Sequence, residues 1–452
     1  MPTHWTRMLA VVPMLALLGA AQVRADDAKV VRAREILKLL IDGKYKEFVA
    51  TGDQAVRAGF SPEKAGQVWA GLLFQLGGYQ SEESAELVKA GEQESVSFVL
   101  RFERGTCTLR VVLDQSDKMS GFWCDAINPS ADYKAPPYVD ESSFREEDVT
   151  VSAGQFPLPG KLTLPKAPGP HPGIVLVHGS GPNDQDETVG ANKPFRDLAW
   201  GLASRGVAVL RYEKRTRVHP LAKPAAEWTL EDEVIDDAIA AAELLRKHKD
   251  IDPKRVYVLG HSLGGTLAPY IAQKDGKLAG IVIMAGSARS ILDLLEEQTE
   301  YIATLGGQPS EKDRQELDKL KQQLAAIRAG KTQDVTEPIL SVPAVYWERL
   351  HKLDPAGVAA KLETPMLILQ GGRDYQVTKK DFTLWKERLG NHKSVTLKLF
   401  DDLNHLFIAG QGPSTPAEYQ QAGHVDEKVI GAIRTWIMPQ AQAAGAKEEK
   451  KD

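Results

Sequence analysis

Several things this chain has little of narrow its reading before any motif is considered. Two cysteines in 452 residues permit one bridge at most, and no paired CxxC motif is present. HExxH and GxxxxGK are also missing, so neither a helical zinc site nor a phosphate-cradling loop is encoded by a known short pattern. The formal net charge of -5 has no basic excess behind it, which removes the electrostatic footprint of a nucleic-acid binder. After the first 21 residues no apolar run approaches the ~20 residues a spanning helix requires.

What is present is ordinary globular material, 42% hydrophobic and 26% charged, with enough apolar side chains for buried cores. The length suits two domains better than one. His4 and Arg7 precede an apolar stretch from Met8 to Ala21, and Val23-Arg24-Ala25 has small residues at the two positions a signal peptidase inspects. Residues 1–25 are therefore expected to be a removed signal peptide, and the mature protein to be exported, periplasmic or secreted. Export would give Cys107 and Cys124 an oxidising setting. A hairpin turning near Gln115 to Asp117 would place them opposite each other, so a bridge is expected.

From residue 26 to about 140 the pattern runs helices first, then strands. Apolar spacing marks helices at Ala33 to Leu40, Tyr45 to Ala50 and Pro62 to Gln75, and alternation marks strands at Ser95 to Phe102, Cys107 to Leu113 and Met119 to Cys124. That is a small α+β domain followed by a proline-stiffened linker near 132–138. Between about 146 and 440 strands and helices alternate instead, which predicts a mostly parallel sheet covered on both faces. Strands are expected at Ile174 to Val177, Ala208 to Tyr212, Val256 to Leu259, Ile281 to Met284, Met366 to Gln370 and Val395 to Phe400, after an antiparallel start around 149–164. The charged, helical interval 287–363 interrupts the alternation and is expected to be a cap over the active site. The tail 441–452 is expected to be disordered.

Gly260-His261-Ser262-Leu263-Gly264-Gly265 sits where a buried strand meets a helix. A sharp turn there exposes a serine oxygen, and the glycines leave room for its backbone, so Ser262 is the candidate nucleophile. A serine needs a base, and the base needs a carboxylate to orient it. In such a topology acid and then histidine follow the serine. Asp374, in the loop after the strand ending at Gln370, is preferred as acid over Asp354, Asp401 and Asp402. His405, in the loop after the strand ending at Phe400, is preferred as base over His351, His392 and His424. The oxyanion site should use the N–H of Leu263 and one from His178-Gly179-Ser180-Gly181-Pro182, where Ser180 is preferred and Gly179 and Gly181 stay open. His178 is expected to organise that loop.

These stretches resemble a known group. Residues 146–437 resemble the α/β-hydrolase superfamily. Gly179-Ser180-Gly181-Pro182-Asn183-Asp184, Lys193-Pro194-Phe195-Arg196-Asp197-Leu198-Ala199 and Arg211-Tyr212-Glu213-Lys214-Arg215 are similar to segments of bacterial esterases near the dienelactone-hydrolase and S33-peptidase-like branches. Some of those carry an N-terminal domain of unknown function resembling residues 30–125. The resemblance implies an α/β-hydrolase fold and the same triad of Ser262, Asp374 and His405. It leaves the third stretch unexplained, since Glu213 stands where an aspartate is expected. The reaction expected is hydrolysis of a small-molecule carboxylic ester through an acyl-enzyme, without cofactor or metal. Peptide or aminopeptide cleavage on the same triad, and a non-catalytic binding protein on a hydrolase fold, are the alternatives.

Overall fold

Six short, largely apolar segments of the C-terminal region form, in the computed structural model, the parallel part of one sheet. The structure describes residues 28–90, 93–103, 105–129, 133–219, 227–340 and 342–438. The expected signal peptide, the tail and the first residue of the linker fall outside them. Two compact units result. One comprises the chain through Lys134 with Val189–Ala191 and Tyr419–Ala422, and the other comprises Ala135–Thr188, Asn192–Glu418 and the chain from Gly423 onward.

In the first unit, helices Ala28–Ile41, Tyr45–Ala50, Gln54–Gly59 and Pro62–Leu76 precede strands β1 (Tyr79–Ala90), β2 (Gln93–Phe102), β3 (Gly105–Leu113) and β4 (Met119–Pro129). The strands form an antiparallel meander in that order. Ile36, Leu37 and Leu40 of the first helix pack with Phe98, Leu100 and Leu109 of the sheet in one apolar core. Sequence patterning missed β1, whose Ser-Glu-Glu-Ser segment has a loop's composition on an edge strand. It also misplaced the cysteines. Cys124 faces Leu109, Cys107 faces Ile127, and a register shift lies between Thr108 and Leu109. The two sulfurs are 3.3 Å apart, a contact distance well beyond the ~2.05 Å of a disulfide.

In the second unit the eight strands are β5 (Phe144–Ala153), β6 (Phe156–Pro165), β7 (His171–Val177), β8 (Ala208–Tyr212), β9 (Ile251–His261), β10 (Gly280–Met284), β11 (Met366–Gly371) and β12 (Val395–Phe400). Their order is β12-β11-β10-β9-β7-β8-β6-β5. The six from β7 to β12 are parallel, and β6 joins them antiparallel through β8. Side chains of a strand alternate between faces, and here both faces are buried. Ile174 and Leu176 of β7 enter one core, with Leu198 and Ile433 from covering helices. Val175 and Val177 enter the other, with Ala238, Leu245 and Leu267. The continuous apolar runs follow from this two-sided burial.

Interval 287–363 contains the helices Ile291–Thr304, Glu311–Arg328, Ala344–His351 and Pro355–Ala359, and among its described residues no strand beyond one isolated bridge. Ser310 and Asp313 cap the second of these reciprocally, which starts a charged helix that buries only Leu324 and Ile327. No described helix is long and apolar enough to cross a membrane.

Candidate active site

The turn after β9 carries a constrained backbone. Ser262 sits at φ 53° and ψ -115°, directly before helix Leu263–Asp275. A side chain rarely adopts such a conformation, and it persists only where surroundings enforce it. Those surroundings are tight. A Cβ on Gly260 would run into the Gly264 carbonyl, and one on Gly264 into the carbonyls of Val177 and His178. Ser262 N–H donates to the Met284 carbonyl at 2.9 Å, pinning the turn to β10. The side chain is half-buried.

Asp374 and His405 come from loops after β11 and β12, and both are buried. His405 Nδ1 lies 2.7 Å from Asp374 Oδ2. The Asp374 carboxylate also accepts from Gln370 Nε2 at 3.1 Å and from the N–H groups of Gln376 and Val377 at 2.8 and 3.0 Å. With His405 these make four contacts that occupy its lone pairs and fix its orientation. His405 Nε2 has no hydrogen-bond partner among the described residues, so it is available to a group arriving in the site. The other acids lie elsewhere: Asp354 caps helix Pro355–Ala359 through Gly357 N–H, Asp401 pairs with Lys379, and Asp402 pairs with Lys428. His351 contacts Ser290 and His424 contacts Asp197.

The loop after β7 approaches Ser262 closely. A Cβ on Gly179 would lie 3.1 Å from Ser262 Cβ. Gly179 spends its own N–H on Glu187 Oε1, which takes it out of the three oxyanion candidates. The N–H groups of Ser180 and Leu263 donate to no described residue. His178 is buried against Phe195 and Tyr212, and burial pushes its imidazole down to about 4. With so low a pKa it is a weak proton acceptor at pH 7.

Two features escaped sequence reading. His261, inside the serine motif, places Nδ1 2.9 Å from Glu187 Oε2 and Nε2 3.0 Å from the His405 carbonyl. Burial opposes its charge, but the Glu187 carboxylate outweighs this and raises its pKa, while the same contact lowers that of Glu187 against burial. Lys214, also buried, donates to the Gly179 carbonyl at 2.8 Å and pairs with Glu233 at 2.7 Å. Glu213, the residue out of place in its motif, accepts the Gln185 N–H at 3.3 Å and pairs with Arg217 at 2.9 Å. Neither buried pair has a local signal, because each joins residues of separate elements about 20 positions apart or more; only the placement of His261 beside Ser262 hinted at a role.

The helical insertion reaches the acid loop. Gln298 donates to the Gln376 carbonyl at 2.8 Å, and Tyr301 stacks on Tyr375 with ring centroids 5.2 Å apart. A strained serine at a strand-to-helix turn and a buried carboxylate–imidazole pair, both beyond the C-terminal ends of parallel strands, place the chain among the hydrolases built on a doubly wound sheet. The chain belongs to the alpha/beta hydrolase family, whose model matches residues 174–422. Residues 33–122 match a family described only as a protein of unknown function, DUF3887. Esterase EstD of Thermotoga maritima is 42% identical over 384 residues, covering 85% of this chain and 89% of EstD. The uncharacterized peptidase YtmA of Bacillus subtilis is 24% identical over 249 residues, 55% of this chain and 81% of YtmA. Among solved structures, a hyperthermophilic esterase from Pyrobaculum calidifontis aligns with a TM-score of 0.41 and 15% identity, covering 65% of this chain and 85% of that one.

Proposed function

We propose that this protein hydrolyses carboxylic esters through an acyl-enzyme, with Ser262 as nucleophile, His405 as base and Asp374 as its orienting acid. The observation that carries the reading is the buried 2.7 Å contact between Asp374 and His405, on a histidine whose carbonyl is tied to the neighbour of Ser262. The likeness to an esterase over most of the chain supports it.

The steps balance on these groups. His405 Nε2 takes the proton of Ser262 Oγ as the oxygen bonds to the ester carbonyl carbon. The carbonyl oxygen becomes an oxyanion facing the N–H groups of Ser180 and Leu263. As the tetrahedral intermediate collapses, the bond to the alcohol oxygen breaks, and His405 returns its proton to that oxygen. Water, deprotonated by His405, attacks the resulting serine ester, and the second collapse frees the acid and restores Ser262. Asp374 stays ionised, holding the tautomer in which Nε2 accepts.

Residues 26–140 and 146–440 are proposed as the N-terminal and catalytic domains, with 287–363 as the cap that shapes the acyl and alcohol pockets. Residues 1–25 are proposed to direct export, after which Cys107 and Cys124 oxidise to a disulfide. Hydrolysis of short-chain p-nitrophenyl esters by wild type and Ser262→Ala tests the central reading. Wild-type turnover at least 10³-fold above the variant is expected; equal rates, or none in either, would overturn it. Aminoacyl-nitroanilides assayed in parallel distinguish ester from amide cleavage, and faster amide turnover would favour the peptidase alternative.

A further inference from the structure

The segment Arg211 to Arg215 takes no part in the steps above, yet it buries a lysine against the loop that borders Ser262. Lys214 is 2% exposed, and its ammonium donates to the Gly179 carbonyl. That carbonyl belongs to the same peptide unit as the N–H of Ser180. A trans peptide is planar, with C=O and N–H pointing in opposite directions. Holding the oxygen therefore aims the hydrogen. A cation on the oxygen also draws electron density from the N–H and makes it a stronger donor.

The preceding peptide unit and the same carbonyl are held as well. Gly179 N–H is bound by Glu187, and Asn183 Nδ2 adds a second donor to the Gly179 carbonyl at 3.2 Å. Behind Lys214, Glu233 is buried and neutralises the ammonium. Tyr346, on the insertion helix Ala344–His351, donates its hydroxyl to Glu233 Oε2 at 2.7 Å. A line of polar contacts thus runs from the helical insertion through Glu233 and Lys214 to the carbonyl of Gly179, the residue packed close to Ser262.

We propose that Lys214, braced by Glu233 and Tyr346, is a positioning residue for the oxyanion site, orienting and polarising the Gly179–Ser180 peptide so that Ser180 N–H binds the developing charge. The inference rests on the esterase reading and gives the insertion a direct connection to the reacting centre. Lys214 touches no substrate atom; it acts through a backbone group. Two opposite charges are not needed to fill this space, since an apolar pair of similar volume can be as stable. What an apolar pair cannot do is polarise the peptide.

The experiment uses the full chain, with p-nitrophenyl acetate for kcat and KM and an aryl trifluoromethyl ketone for Ki. The ketone forms a hemiketal with Ser262 Oγ, so its affinity reports binding of an oxyanion. Lys214→Met leaves the Glu233 carboxylate unpaired, so Lys214→Met/Glu233→Gln is measured beside it, with near-UV circular dichroism to verify the fold. Removing a donor outright costs about 10²–10³ in kcat, and weakening one should cost less. In the folded double variant kcat should fall about tenfold and Ki rise by a similar factor, with KM changed less than twofold. Unmoved kcat and Ki, or a change confined to KM, would overturn the inference. Should neither lysine variant fold, Tyr346→Phe decides, because it alters no buried charge. A two- to threefold loss in kcat matched by Ki supports the inference, and an unchanged Ki overturns it. Absence of Ser262-dependent turnover in wild type defeats the esterase reading itself; Ser262-dependent turnover with a double variant like wild type defeats only the role of Lys214.

Discussion

Glu187 and His261 face each other across a buried 2.9 Å contact one residue away from Ser262. The same carboxylate holds Gly179 N–H, and the opposite nitrogen of the ring reaches the His405 carbonyl at 3.0 Å. Three loops that meet at the serine are thereby tied to one ion pair. Glu187 has a backbone φ of 50° and Ser262 one of 53°, so both the pair and Ser262 sit on backbone that only surrounding contacts can hold.

Glu187→Gln should therefore lower both stability and rate. Breaking one side of a buried pair costs roughly 3–5 kcal/mol, and loosening the three loops should reduce kcat about 10- to 100-fold. The pH dependence follows from the two directions of shift. Glu187 is held below its ordinary 4.5, so its contribution is present above 4.5 and lost as pH falls through the lower folded value. His261 is raised above 6.5, so its contribution is complete below 6.5 and lost as pH rises through the higher folded value. Urea titrations of both proteins across pH should show the largest gap between 4.5 and 6.5. A gap that does not vary with pH would count against the pair.

His178 carries the opposite sign. Its imidazole is driven down to about 4, first by burial, so on acidification the unfolded chain takes up a proton that the folded chain refuses. Stability conferred by the neutral ring is complete above 6.5 and declines as pH drops toward 4. His178→Phe should flatten this decline, shifting the stability difference between pH 7 and pH 4 by on the order of 3 kcal/mol in favour of the variant. Parallel pH profiles for the two proteins would contradict the assignment.

The choice among acids is decided by two substitutions. Asp374→Asn should cost roughly 10⁴ in kcat by disturbing the tautomer of His405. Asp402, half exposed and paired with Lys428, should tolerate Asn within about twofold, as surface pairs usually do. The reverse result would move the acid to the loop after β12.

The proposed disulfide is checked by titrating thiols in denatured, unreduced protein recovered from the exported fraction. None should react. Two reactive thiols would show that the 3.3 Å sulfur contact stays unoxidised, and would count against an oxidising destination.

The sheet was legible because strands buried on both faces must be apolar throughout, as Ile174 to Val177 and Ile281 to Met284 are. The start of β9 was not, since Asp252-Pro253-Lys254-Arg255 is polar where the strand emerges from the core. β1 escaped for the same reason, having an edge to expose. Ser262, Asp374 and His405 could be named as candidates because chain order and strand ends restrict each to a few positions, and the structure brings Asp374 and His405 into contact. Glu187, Lys214 and Glu233 carry no such restriction. Their partners are fixed by packing between elements separated in sequence, and a lone Glu or Lys in a sequence reads as surface.

The most direct test of the account is where a reactive acyl mimic attaches. A p-nitrophenyl alkylphosphonate loses p-nitrophenolate when a serine oxygen attacks phosphorus, leaving a stable adduct. Stoichiometric labelling followed by peptide mass mapping should find a single adduct on Ser262, formed at least 10³-fold more slowly in His405→Ala. Complete loss of ester hydrolysis should accompany it. An adduct on another residue, or hydrolysis that survives full labelling of Ser262, would contradict it.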